Sequence, residues 1–357
     1  MLIEKPRIPV REVVLFGLFP SFLKIWIYRL RGYRIGKGVS IGFGSVICAD
    51  QVEIGDETRI GFLTIIRGKQ VRLGSGVQIG ATTFIDTPYL EIGDGTKINE
   101  QVFVGGLQFA DSKLVMGRNC QIMQMSFINP ARSITIGDDT GIGGHCLIFG
   151  HTSWLSQFEG YPVDFQPIEI GNSVSVAWRV FVLPGTKIGD GAVVGANSLV
   201  SHTVPPRCLS MGFPARVVAK APQFPRDIDE EEKIGILRNI VKEMTVYFSQ
   251  SDMEVEQRGD DFLFTHSHRR WFSVRKKTYG LRVLYGEPSG TDIPSSRDGV
   301  DVFLCLGMIP AEQRERLQRN RIMWVEISRK ERSSYSNDLG DEVLLFLKRY
   351  GVRTVRA

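Results

Sequence analysis

Two histidines carry the clearest catalytic chemistry that this 357-residue chain offers. His145 and His151 stand six positions apart, and His151 opens a polar and aromatic segment that ends near Pro167. An imidazole whose pKa is near 6.5 can take a proton from an alcohol at neutral pH, so His151 is a candidate general base. A histidine in a loop is also commonly an ordinary surface residue, and these residues alone leave that interpretation open.

Thiol and disulfide chemistry finds less support. The five cysteines are scattered without CxxC spacing, which predicts neither a zinc ribbon nor a disulfide framework. Cys146 has neither a clear base nor a helix N-terminus beside it to activate its thiol. No signal peptide with a small-residue cleavage site is evident. We therefore expect a cytoplasmic protein with reduced thiols and no metal.

A repeat must position the histidines. An aliphatic residue followed by glycine recurs every nineteen positions at Ile35, Ile54, Leu73 and Ile92. It returns at Met116, Ile136, Ile170 and Ile188, and within each unit aliphatic residues recur every six positions. Three segments of six residues in each unit predict a three-sided coil with one short strand per side. The aliphatic residues are expected to point inward and stack between coils, and the glycine to permit the close turn.

Two units are longer than the others. Ile92 and Met116 are twenty-four positions apart, which predicts a small excursion around residues 105–114. Ile136 and Ile170 are thirty-four positions apart, so some fifteen extra residues leave the coil after Ile148. Loops that project from rigid scaffolds often carry function. Three aromatic residues of this loop, Trp154, Phe158 and Tyr161, are candidates for stacking on a sugar ring or on the donor, or for packing between subunits.

The hexads over about residues 35–220 resemble the hexapeptide-repeat acyltransferase family, whose coils form a left-handed parallel β-helix. The order Ile148-Phe-Gly-His151, loop, Pro167-Ile-Glu-Ile-Gly171 resembles the sugar and polysaccharide O-acetyltransferase branch. This resemblance implies a homotrimer with the active site between subunits. It also implies that His151 is the general base in a ternary complex of acetyl-CoA and a sugar or glycan acceptor. His145 would help to bind a substrate, or is simply solvent-exposed.

The last coils resemble the family's coenzyme A region. The run Val182-Leu-Pro-Gly to Val200 and the segment Gly212-Phe-Pro-Ala-Arg216 carry this resemblance. It implies that small residues face the pantetheine and basic residues meet the phosphates, although corner packing and solvation explain them too. Trp178 stands three positions later than the family's tryptophan, which alters the expected shape of the thioester channel. The implied donor-binding residues are Ala177, Trp178, Gly195, Ala196, Pro214, Arg216 and Lys220.

The two ends of the chain differ from the repeat. Residues 1–34 carry 7 − 2 = +5 charges and many apolar side chains, which favours either a peripheral membrane contact or a cap on the repeat. Residues 221–252 predict a linker helix, and 253–357 a small α/β domain of unknown role. The basic run 266–277 could bind an anionic ligand or be a solvated strand edge. Nucleic-acid binding is not expected, since base-reading motifs are missing.

These observations favour acetyl transfer to a sugar hydroxyl, in the synthesis of a surface polysaccharide or glycolipid. A nucleotide-sugar N-acyltransferase would use the same base on an amine. A γ-type carbonic anhydrase needs three histidine ligands, whereas the hexad units up to Val200 supply only His145 and His151. A non-catalytic β-helix scaffold is the remaining alternative, and it predicts that His151 has no effect on any reaction.

Overall fold

Each hexad forms one short strand of a β-helix in the computed structural model, which describes residues 8–270, 273–289 and 292–357, without the side chains of 268–275. The strands stack coil on coil into three parallel sheets, here called faces A, B and C in the order in which the chain visits them. The predicted fold class, a left-handed parallel β-helix followed by a helix and a small α/β domain, is confirmed.

The three faces take one strand from every coil. Face A contains Arg34–Ile35, Gln51–Ile54, Gln70–Leu73, Tyr89–Ile92, Lys113–Met116, Ile134–Ile136, Ile168–Ile170 and Lys187–Ile188. Face B contains Ser40–Ile41, Arg59–Ile60, Gln78–Ile79, Lys97–Ile98, Gln121–Ile122, Gly141–Ile142, Ser175–Val176, Val193–Val194 and the hairpin Cys208–Gly212 with Ala215–Lys220. Face C contains Val46–Cys48, Ile65–Arg67, Phe84–Asp86, Phe103–Val104, Phe127–Asn129, Leu147–Phe149, Phe181–Val182 and Leu199–Val200.

The repeat seen in the sequence appears directly as strand register. Ile41 pairs with Ile60, and Ile60 pairs in turn with Ile79, each one repeat further along the chain. All three side chains are buried in one continuous core, as the hexad pattern predicts. Because each coil buries its inner face only against its neighbours, the stack itself supplies the stability.

The glycine that follows the aliphatic residue has a different purpose from the predicted one. A Cβ on Gly61 would lie 2.5 Å from the backbone nitrogen of Ala81 in the next coil. Left-handed backbone is found instead two positions after the glycine, at corner residues such as Glu57 (φ 56°) and Leu63 (φ 52°). The glycine therefore permits coils to approach each other closely, and the turn is made elsewhere.

A short helical segment caps the first coil. It comprises Val10–Glu12, the π-helical turn Val13–Gly17 and the helix Ser21–Leu30. Lys24 Nζ donates to the carbonyl oxygens of Gly42 (2.6 Å) and Ser45 (3.1 Å), and the Tyr28 hydroxyl accepts a hydrogen bond from Ile47 N (3.0 Å). The inner face of the helix thus satisfies backbone groups that no earlier coil can pair.

No single helix in the described part of the chain is long and apolar enough to cross a membrane. Two helical pieces, Val10–Gly17 and Ser21–Leu30, reach that length and composition only together, and they are bent by 117°.

A second unit, Ile228–Ala357, has its own cores. Its helices are Glu230–Gln250, Ala311–Arg319 and Asp338–Leu347, and the last is followed by the 3₁₀ turn Lys348–Tyr350. Another 3₁₀ turn, Gln157–Glu159, belongs to the first unit. Its sheet runs Met253–Arg258, Asp261–Arg270, Ser273–Leu284, Val302–Cys305, Met323–Glu326, Glu331–Arg332 and Val355–Arg356 in spatial order. The first three strands are antiparallel and the next two pairings parallel. Much of the basic run 266–277 lies outside the described side chains.

Candidate active site

His151 lies where the chain leaves face C towards face A. The strand His151–Thr152 pairs antiparallel with Asp164–Phe165, with His151 opposite Phe165. The extra residues of this long unit therefore form a hairpin rooted on the coil, with the 3₁₀ turn Gln157–Glu159 near its tip. This places the imidazole at the root of the projection, where the rigid coil holds the backbone.

The imidazole of His151 is enclosed by two aromatic rings. Its centroid lies 6.0 Å from that of Phe165, nearly parallel at 12°, and 5.9 Å from that of Phe149. Its Nδ1 is buried and has no hydrogen-bond partner, whereas the ring as a whole is half-exposed. Burial disfavours the charged form and lowers the pKa of His151 below its ordinary value of 6.5. The neutral form that a general base requires is therefore favoured.

The excursion after Gly105 supports this hairpin. Phe109 packs edge-on against Phe165 at 4.9 Å between centroids. The Arg132 guanidinium lies 4.3 Å above the Phe109 ring and forms an ion pair with Asp111 (2.6 Å). The two departures from the regular repeat thus meet beside His151. Sequence reasoning missed Phe109 and Phe165, although both lie in the two segments that break the repeat.

Polar groups of earlier coils lie at the same edge of face C. Asn129 pairs in register with Phe149, is only 3% exposed, and its Oδ1 has no hydrogen-bond partner. A Cβ on Gly106 would collide with the Asn129 amide, so only glycine fits above that side chain. Asp86, two coils earlier than Asn129, forms a half-buried ion pair with Arg67 (3.7 Å). These groups, also missed from the sequence, lie on the same face of the β-helix as the strand that leads to His151.

His145 lies elsewhere. It occupies the corner between faces B and C with a left-handed backbone (φ 55°), is exposed, and its ring centroid is 5.9 Å from that of Trp178. The strand Leu147–Phe149 separates it from His151, so one chain does not bring the two imidazoles together. Within the described residues, no group of three His, Cys, Asp or Glu side chains could hold a metal ion. Burial raises the pKa of the Cys146 thiol, which disfavours a nucleophilic role.

Most of the predicted donor residues lie at or beside the corner between faces B and C, whereas Lys220 does not. Trp178 lies over Gly144, where a Cβ would come within 2.6 Å of the indole, and it remains 43% exposed. Asn197 N donates to the carbonyl oxygen of Trp178 (3.0 Å). This hydrogen bond stacks the corner that contains Gly195 and Ala196 on the corner of the preceding coil, which contains Ala177. The corner therefore presents small residues, exposed backbone and one large indole in adjacent coils.

The hairpin that ends face B is tied to this corner. Gly212 N donates to Ser198 Oγ (3.1 Å), and Ser198 Oγ donates to the carbonyl oxygen of Gly195 (2.6 Å). Pro214 lies in the turn of this hairpin. Arg216 and Lys220 are exposed on one side of the strand Ala215–Lys220, with Arg216 beside the turn and Lys220 at the far end. Arg216 is thus the better placed of the two cations for a phosphate near Gly195.

The hairpin aromatics face solvent. Trp154 is 96% exposed and Tyr161 46% exposed, so the chain leaves the first ring uncovered and the second about half covered. A cleft of about 520 Å³ lies on face A, lined by Thr135, Glu169 and Lys187 among others, and it contains none of the predicted site residues. Because that cleft lies on another face from the hairpin root and the donor corner, His151 and the donor corner remain the candidate site.

Comparison with known proteins gives partial matches to acetyltransferases. No family model matches the chain. WbbJ of Escherichia coli strain K12, provisionally named a lipopolysaccharide biosynthesis O-acetyl transferase, is 34% identical over 124 residues, 31% of this chain and 63% of WbbJ. Galactoside O-acetyltransferase of the same strain is 31% identical over 34% of this chain and 58% of its own length. Both matches span less than two thirds of those relatives.

Among solved structures, that of NeuO, a polySia-specific acetyltransferase, is 20% identical and covers 53% of this chain and 81% of NeuO, with a TM-score of 0.30.

Proposed function

We propose that this chain, which belongs to the hexapeptide-repeat acyltransferase family, transfers an acetyl group from acetyl-CoA to a sugar hydroxyl. The observation that carries the proposal is the imidazole of His151 at the root of the hairpin, half-enclosed between the Phe149 and Phe165 rings. Relatives named for O-acetyl transfer to galactosides and in lipopolysaccharide synthesis support a carbohydrate acceptor. The reaction would then serve surface polysaccharide or glycolipid synthesis in the cytoplasm, where acetyl-CoA is available.

His151 would act as a general base. The Nδ1 atom is buried, so Nε2 is the nitrogen that an acceptor hydroxyl can reach. It takes the hydroxyl proton while the oxygen attacks the thioester carbonyl and forms the new ester bond. As the C–S bond breaks, the imidazolium returns the proton to the coenzyme A sulfur. No acyl-enzyme is formed, in keeping with the buried Cys146 thiol.

A trimer would complete this site. Within one chain, the strand Leu147–Phe149 lies between His151 and the donor corner around Trp178 and Gly195. In the homotrimer that the resemblance implies, the donor corner of one subunit would face the hairpin of the next. The exposed rings of Trp154 and Tyr161 would then contact the neighbouring subunit or stack on the sugar ring.

The test is release of free thiol from acetyl-CoA with a panel of sugars, amino sugars and glycans. His151→Ala is expected to lower kcat by about 10²–10⁴-fold, the usual contribution of a general base. His202→Ala, which alters a half-buried histidine outside the candidate site, is the control and should leave kcat unchanged. Equal turnover of the two variants would refute the role of His151. Failure of the wild-type protein to bind coenzyme A or to turn over any acceptor would leave the scaffold alternative.

A further inference from the structure

The N-terminal helical segment carries a second apolar face, which the cap does not use. Every fourth residue from Val10 to Leu30 is a large apolar side chain that is between 55% and 74% exposed. These residues, here called the outer stripe, are Val10, Val14, Leu18, Phe22, Trp26 and Leu30. A step of four keeps side chains on one side of a helix, so each helical piece presents a continuous apolar surface to solvent.

The inner face of the helix Ser21–Leu30 is fully committed to the β-helix. Lys24 and Tyr28 are each 1% exposed and bond to the first coil, and the Ser21 hydroxyl accepts a hydrogen bond from Ile41 N (2.9 Å). Burial lowers the pKa of Lys24 to about 8. These contacts hold the helix on the first coil, so the outer stripe faces away from the β-helix. The outer stripe can only be covered from outside.

Basic side chains border the outer stripe. Apart from the buried Lys24, residues 8–34 contain Arg11, Arg29, Arg31 and Arg34 against Glu12, which gives 4 − 1 = +3 at the surface. The four arginines are exposed, and the Arg31 guanidinium lies 4.2 Å above the Phe16 ring. Arg29 also donates to the carbonyl oxygens of Ile35 and Gly36, and Arg34 pairs with Glu53 (2.9 Å). Arg11 and Arg31 are therefore the two whose guanidinium groups have no anionic or carbonyl partner among the described residues. Exposed apolar residues that include Phe and Trp, next to exposed arginines, are the composition of helices that lie in the interface of an anionic membrane.

We propose that the outer stripe binds the surface of an anionic lipid bilayer, with Phe22, Trp26 and Leu30 entering the headgroup region. Arginines beside the stripe meet the lipid phosphates. A second copy of the chain fits this surface less well, because it would bring another set of the same arginines against these. The inference is independent of the proposed function, since neither acetyl-CoA nor His151 enters it.

The first experiment is sedimentation of the full-length protein with phosphatidylcholine vesicles, with and without phosphatidylglycerol. We expect the protein to sediment with the phosphatidylglycerol-containing vesicles and to be released when ionic strength is raised to about 1 M, where the Debye length is about 3 Å. No sedimentation with the anionic vesicles, or equal binding to the neutral ones, would overturn the proposal. Because this experiment uses the wild-type protein, its result does not depend on whether a variant folds.

The second experiment compares two double variants. Phe22→Ser with Trp26→Ser removes two rings of the outer stripe, and we expect the vesicle-bound to free ratio to fall at least about tenfold, because both rings lose their apolar burial. Phe62→Ser with Val246→Ser removes two comparably exposed apolar side chains elsewhere and should leave that ratio unchanged. An equal fall of the vesicle-bound to free ratio in both double variants would contradict specific binding through the outer stripe.

Oligomeric mass separates the membrane from a second copy as the occupant. In sedimentation velocity without lipid, the Phe22→Ser, Trp26→Ser variant should keep the mass of the wild-type protein. A lower mass would assign the outer stripe to a subunit interface and overturn the proposal. Thiol release with a soluble acceptor should also be unchanged in this variant, which separates the membrane surface from the acetyl-transfer site.

Discussion

At the scale of single residues, the environment of His151 determines the charge of its imidazole and the side of the ring that a substrate can approach. Phe149 and Phe165 flank the ring, and water is kept from Nδ1 without any hydrogen bond to replace it. Desolvation disfavours the imidazolium and lowers the pKa of the ring. The base is therefore ready at neutral pH, and only its half-exposed side is open to a substrate.

This environment predicts the pH dependence of catalysis. Because burial lowers the pKa of His151 below 6.5, the neutral base persists as the pH falls through 6.5 and is lost only below it. We expect the acid limb of kcat/KM to have an apparent pKa below 6.5. Phe165→Ser opens one side of the ring and should move that limb towards 6.5. An apparent pKa at or above 6.5 for the acid limb of the wild-type protein would contradict the account of His151 as an enclosed base.

At the scale of elements, the sequence predicts the coils well and the loops poorly. The hexad pattern repeats the same inward aliphatic residue many times, so it predicts the strands from Ser40–Ile41 onward and their register. The contact of Phe109 with Phe165 joins two distant segments and occurs once, so no periodicity predicts it. The hairpin Cys208–Gly212 with Ala215–Lys220 breaks the step of six, so the hexad pattern does not predict its strands. Repetition, rather than propensity, made the fold predictable.

Close stacking of coils gives a prediction about two glycines. Gly61→Ala would place a Cβ 2.5 Å from Ala81 N in the next coil, and backbone cannot move aside cheaply. We expect a loss of about 1–3 kcal/mol in the free energy of unfolding, typical of overpacking. Gly141→Ala is the matched control, because no atom lies within 4 Å of its Cβ position and its φ is not left-handed. Chemical denaturation followed by circular dichroism checks both, and equal effects would contradict this account of the repeat.

At the scale of the whole molecule, charge and chemistry are segregated along the chain. The formal net charge of +5 equals the charge of residues 1–34, which leaves the remaining chain neutral overall. Every candidate donor, acceptor and catalytic residue predicted from the sequence lies between His145 and Lys220, within the first unit. The proposed membrane surface and the proposed acetyl-transfer site therefore belong to one stack of coils, with the first at its N-terminal cap.

Because the first unit holds all of these residues and a core of its own, we predict that a chain ending at Asp227 folds and remains active. Its kcat/KM for acetyl transfer should stay within about threefold of the full-length value, as expected for a domain that folds alone. The same fragment with His151→Ala serves as the inactive control. Circular dichroism and sedimentation velocity establish folding and mass before thiol release is measured. A folded fragment of unchanged oligomeric state that has lost turnover would instead assign part of the acceptor site to residues 228–357.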